Sequence, residues 1–97
     1  MPNAYDVAKA GGRHAAWMRE QQELGERQLR SARRSLQKQV ALHLGWLDNP
    51  TSKVQDWNGR SALYQQGLLR KWQQDIQRQR QQIEIIEGVM KEKGHER

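Results

Sequence analysis

The sequence predicts an all-α fold: an antiparallel helical hairpin or small helical bundle, with an irregular N-terminal lead-in and a covering loop. Three observations carry this. Between Arg60 and Lys93, Leu69, Trp72, Ile76, Ile83, Ile86 and Met90 recur at three- and four-residue steps, with polar Gln79 at the one interior slot. That spacing lines one face of an α-helix, and Gln, Arg and Lys fill the rest of its circumference. A second stripe, Leu29, Leu36, Val40, His43 and Leu47, has the same period, with Ala32 and Leu44 beside it. Between them, Asp48-Asn49-Pro50-Thr51-Ser52 is a strong stop, because Pro50 pushes Asn49 out of helical geometry. No stretch alternates as a strand would, and two stripes that each need cover face one another. The expected organisation is one domain with a lead-in over 1–13, helix over 14–47, loop over 48–60, helix over 61–93 and a tail over 94–97.

In the lead-in, Asn3 is placed to cap a brief turn whose Tyr5 and Val7 are expected to anchor it to the core. Gly11-Gly12 then breaks the chain, since adjacent glycines accept φ > 0 and let the backbone approach a neighbour closely. The helix from His14 is expected to bend at Gly25. Its Arg27, Arg30, Arg34 and Lys38 fall opposite the apolar stripe, where such a row is either solvated or presents cations to a phosphate backbone. In the loop, Trp57 is expected to pack back on the helices, and Ser61 to cap the last helix. A bend at Gly67 divides that helix into Ala62–Arg70 and Trp72–Lys93. Residues 88–97 are expected to fray, with Gly94 as the stop.

Composition bounds the chemistry. The 97 residues hold no cysteine, which removes disulfides, thiolate nucleophiles and cysteine-based metal sites together. There is no Phe, so four Trp carry much of the core volume. Lys plus Arg number 17 against 11 Asp plus Glu, a net +6 that draws a small body to polyanions. No segment approaches the roughly 20 apolar residues of a transmembrane helix, and the N-terminus lacks the apolar core of a signal peptide. Phosphate-loop, nucleophile-elbow, zinc-helix and calcium-loop motifs are all missing, so no local motif encodes a metal site and no cofactor is expected.

Three histidines remain. His14 follows Gly11-Gly12-Arg13 at a helix start, where free backbone N–H groups and an adjacent guanidinium suit an anion and an imidazole can move protons near neutral pH. The alternative is an idle histidine in a glycine-rich lead-in. His43 shares a face with Val40 and Leu47, where a histidine is usually a buried group satisfied by a backbone carbonyl; a catalytic role is the competing reading. His95 lies in the tail. Arg34 and Lys38, one turn apart, could stabilise charge on a transferring phosphate. Of the acids, Asp6 stands near the glycines and Asp75 near Trp72, where Lys71 or Gln79 can pair with it.

Several of these residues together resemble a known family. Asn3-Ala4-Tyr5-Asp6-Val7-Ala8-Lys9-Ala10-Gly11-Gly12-Arg13-His14 is similar to the "AYxVAKxGGKH" opening of a C-terminal toxin module found on bacterial polymorphic toxins of the Rhs and contact-dependent-inhibition type. Arg34 to Val40 with His43 resembles that module's "RSxxKQIxxH". Asp48-Asn49-Pro50 with Trp57 is similar to "xxNPxxxxxxW", and Trp72 to Ile86 to "WxxDIxRQxxQIxIL". The chain departs from the pattern at Arg13, where Lys is usual, and at Gly45-Trp46, where a charged residue is.

The resemblance implies the toxic end of a larger secreted polypeptide, delivered into the cytoplasm of a rival bacterium and neutralised by a cognate acidic immunity protein. It makes His14, His43 and Arg34 the candidate catalytic residues, with Gly11, Gly12, Arg13, Arg30 and Lys38 around a substrate phosphate. A basic, cysteine-free module carrying these groups fits metal-independent RNA cleavage. The competing readings are a membrane-perturbing toxin and a helical hairpin that binds nucleic acid or protein without turnover.

Overall fold

The structure is a computed structural model, in which residues 2–95 are described. It is all-α: α1 (Ala4–Lys9), α2 (Ala15–Gln22), α3 (Glu26–Asp48) and α4 (Ala62–Glu92), with two short 3₁₀ turns, Pro50–Ser52 and Trp57–Gly59, between α3 and α4. α4 is the axis of the molecule, roughly 46 Å long at 1.5 Å per residue.

α3 runs antiparallel to α4 and covers the predicted stripe. The pairs Arg33–Glu87, His43–Asp75 and Trp46–Trp72 fix the direction, since one partner's number falls as the other's rises. Leu29, Trp72, Ile76, Ile86 and Met90 are buried in this seam, and Gln79 is buried with them. At the loop end, Trp57 stacks on Trp72 with centroids 5.8 Å apart and planes 20° apart, and Gln65 Nε2 donates to the Trp57 carbonyl at 2.7 Å. Trp57 thereby pins the loop as expected.

The other flank of α4 carries a second stripe, Ile85 and Val89, each one residue before a member of the first and so rotated from it by about 100°. α1 and α2 fold back against this flank, and Ala8 and Met18 join the same core cluster. The docking row is Gln81, Glu84, Gly88 and Glu92, three and four residues apart. The Ala4 N–H donates to Glu84 at 2.9 Å, and His14 meets Gln81 at 3.1 Å. The Tyr5 ring lies directly over Gly88, in the space where a Cβ would stand. Asn3 and Asp6 form a reciprocal cap that starts α1.

Four expectations are corrected. The bend expected at Gly25 is a full break, so the helix expected over 14–47 is two helices, with the backbone turning at Glu23–Gly25; the Lys93 amine holds the turn by donating to the Leu24 carbonyl at 2.6 Å. α4 passes Gly67 unbroken. Val7, expected in the core, is exposed and packs beside Gly12, while Ala8 is the buried anchor. The segment from Gly88 does not fray within the described residues: Val89 and Met90 are fully buried, Gly94 takes φ +74°, and the His95 N–H closes the end on the Met90 carbonyl at 2.8 Å. The last two residues of the expected tail lie outside the described residues.

A polar clasp joins the first helices to the end of α4. Tyr5 donates to Glu92 at 2.5 Å, Lys9 at 3.0 Å, and Gln22 to its second oxygen at 2.8 Å. Partial burial acts to raise the Glu92 pKa, but the Tyr5, Lys9 and Gln22 hydrogen bonds and the Lys9 charge outweigh it and hold the carboxyl below its ordinary 4.5. The hydrogen bond to Glu92 pushes the Tyr5 hydroxyl above its ordinary 10.0, and the same carboxylate raises Lys9 above 10.5.

A carboxyl lowered on folding stabilises above its unfolded pKa, and that stability is lost as pH falls through the folded value. A hydroxyl or amine raised on folding stabilises below its unfolded pKa and is lost as pH climbs through the folded one. The urea midpoint should therefore drop both below about pH 4.5 and above about pH 10. Glu92→Gln should flatten both arms; arms as steep as wild type's would show the clasp to be idle. Leu29→Ala, deleting a fully buried side chain at the seam, should cost about 2–5 kcal/mol in urea unfolding.

Candidate functional site

The corner Gly11–His14 is built by local necessity. Gly11 takes φ +92°, and the Gly12 N–H donates to the Val7 carbonyl at 2.9 Å. A Cβ on Gly12 would stand 2.8 Å from Val7 Cγ1 and 2.9 Å from that same carbonyl oxygen, so no larger residue fits without moving backbone. The tight turn delivers His14 to the first turn of α2 at φ +70°; among the described residues it alone of the non-glycines has positive φ. Left-handed backbone costs an L-residue roughly 1–2 kcal/mol, and such strain gathers where function requires a placement.

The His14 ring is partly buried. Its Nε2 meets Gln81 Oε1 at 3.1 Å, and an amide oxygen only accepts, so in the neutral ring Nε2 is the donor and Nδ1 the lone-pair nitrogen. His14 borders a cavity of about 300 Å³ with Ala4, Val7, Arg13, Gln81 and Glu84. Arg13 also borders a neighbouring polar cavity of about 360 Å³, whose other walls are Gln74, Asp75, Gln77 and Arg78. The glycine-rich corner thus lies on α4 between Gln74 and Glu84.

Asp75 links this side to the α3 side. Its carboxylate receives Lys71 at 3.1 Å and Arg78 at 3.6 Å, and His43 Nε2 lies 3.5 Å away. His43 is buried, tilted against Trp46 at 4.5 Å between centroids, and its Nδ1 donates to the Gln39 carbonyl at 2.7 Å. Both of its nitrogens are therefore engaged, the second at long range. The backbone-satisfied reading of His43 describes its surroundings, and the pairing of Asp75 with Lys71 is present.

The remaining candidates lie elsewhere. His14 and His43 do not share a partner: they reach α4 six residues apart, about 9 Å along the axis and about 120° around it. Arg34 is exposed on the face of α3 turned away from α4. Arg30 is engaged structurally, with Glu26 at 3.3 Å and the His95 carbonyl at 2.8 Å. Lys38 borders an apolar hollow with Leu42 and Trp46. Of the cations expected around a phosphate, only Arg13 stands beside His14.

Gln81, Glu84, Arg78 and Gln74, which complete the site, were not singled out from sequence. Their three- and four-residue spacing was legible, but a row of Gln, Arg and Glu reads as solvated surface until α1 and the glycine corner cover it. Among the described residues, no three His, Cys, Asp or Glu side chains gather closely enough to hold a metal ion. The chain matches no protein-family profile, no curated protein sequence and no solved structure.

Because His14 occupies left-handed backbone, His14→Gly should leave the chain about 1 kcal/mol more stable than His14→Ala, both losing the Gln81 contact equally. Equal urea midpoints for the two variants would mean that the corner relaxes out of this conformation.

Proposed function

We propose that this module is an antibacterial effector toxin domain that cleaves RNA without a metal, and that an acidic immunity protein neutralises it in the producing cell. The observation that carries the reading is His14. A histidine held in strained backbone, with one nitrogen engaged by Gln81 and the other carrying a lone pair, beside Arg13 at the edge of a cavity, has the attributes of a general base. The surplus positive charge and the resemblance of the Asn3–His14 segment support the same conclusion.

In this mechanism Nδ1 of His14 takes the proton of a ribose 2′-hydroxyl. The oxygen attacks the adjacent phosphorus and the bond to the 5′-oxygen breaks, leaving a 2′,3′-cyclic phosphate; the departing oxygen takes a proton from water. Arg13 stabilises the negative charge on the phosphoryl oxygens. His43 acts as a positioning residue: it is buried in the α3–α4 seam beside Asp75, whose carboxylate holds Lys71 and Arg78 along the groove. Arg30, Arg34 and Lys38 take no part.

Purified protein incubated with tRNA, rRNA and plasmid, with and without chelator, tests the reading. RNA should be cut equally in both conditions and end in cyclic phosphate, and His14→Ala should slow cutting by about 10²-fold or more with helicity unchanged. Cleavage lost to chelator, or unchanged by His14→Ala, would overturn the mechanism. Salt-sensitive RNA binding without turnover would favour the non-enzymatic helical module instead.

A further inference from the structure

The polar cavity beside the His14 cavity supplies no proton-transfer group to the chemistry just described, yet one side chain, Arg13, forms a wall of both. Two of its walls are cations, Arg13 and Arg78, against the single carboxylate of Asp75, which also receives Lys71 from one turn earlier on α4. Among the described residues Arg13 has no carboxylate partner, so the surplus is not neutralised within the groove. Lys71 is 67% exposed and Arg78 48%, leaving both able to turn toward a ligand in solvent. Gln74 and Gln77 add amide N–H donors that need no counter-charge.

We infer that this cavity is a second phosphate subsite, in which Arg78 and Arg13 hold the phosphate next to the one beside His14, so that the substrate is an RNA strand gripped across two successive phosphates. The inference rests on the ribonuclease reading of the His14 cavity. Geometry sets the scale: from Arg78 to Gln81 is three residues, about 5 Å along α4, comparable to one step along a nucleotide backbone. Arg13 stands between the two cavities and contacts both phosphates, as a fork-shaped guanidinium can. Asp75 does not repel the second phosphate decisively, because its charge is already met by Lys71 and Arg78.

The test uses a short fluorescein-labelled 2′-O-methyl oligoribonucleotide, which lacks the attacking hydroxyl and so cannot be cut, followed by fluorescence anisotropy. Arg78→Gln should weaken its binding about tenfold and reduce the slope of log K against log salt by about one. Arg78→Lys should recover most of the loss. A dinucleoside monophosphate, which has one phosphate, should compete equally well against wild type and Arg78→Gln.

Unchanged affinity and salt slope in Arg78→Gln would overturn the subsite, as would an equal loss for the dinucleoside monophosphate. The two readings fail separately. Arg78-dependent binding with no RNA cleavage by wild type removes the ribonuclease and leaves the subsite. Cleavage with the same KM in wild type and Arg78→Gln removes the subsite and leaves the ribonuclease.

Discussion

Everything in this molecule depends on one helix being buried on two sides. α4 presents Trp72, Ile76, Ile86 and Met90 to α3, and Ile85 with Val89 to the flank where α1 and α2 pack. A helix with one apolar stripe needs one partner; a helix with two, offset by a single residue, must sit between layers. That requirement turns a hairpin into a small bundle. It also brings the short N-terminal helices, too short to persist alone, onto a surface that can hold them. The glycine corner then has somewhere to land, and Gln81 is there to meet His14.

The α3–α4 seam was legible because its residues follow a single helical period and a proline closes the connection. The second stripe was not, since Ile85 and Val89 sit beside Ile86 and Met90 and read as thickening of the first. With it went the docking of α1 and α2, and hence the order of residues 88–95. Val7 misled for a related reason: a large aliphatic residue in a six-residue helix looks like an anchor, but with Tyr5 on Gly88 the face turned to α4 carries Ala4 and Ala8, and Val7 lies off it, exposed beside Gly12. Of the candidate site, Gly11, Gly12, Arg13 and His14 were legible, because adjacent glycines mark a tight turn and place the basic pair at a helix start. Their counterparts on α4 did not, because polar residues acquire meaning only when something is placed opposite them.

The site follows from how the corner is held. Gly12 must lack a side chain to bond Val7, Gly11 must reach positive φ, and these two demands force the strained backbone at His14. Asp75 offers a contrasting economy. It gathers His43 from α3 and two cations from α4, so that the packing of the large seam and the charge of the groove share one carboxylate. A change on the buried side of α4 is thereby felt on its exposed side through a single group.

The burial of Ile85, Val89 and Met90 makes the last turns of α4 a shared support. These residues close the core shared by α1, α2 and the start of α3, so all three depend for cover on the last turns of α4. Pulling those turns away would uncover Ala8, Met18 and Leu29 at once, one from each of the three helices.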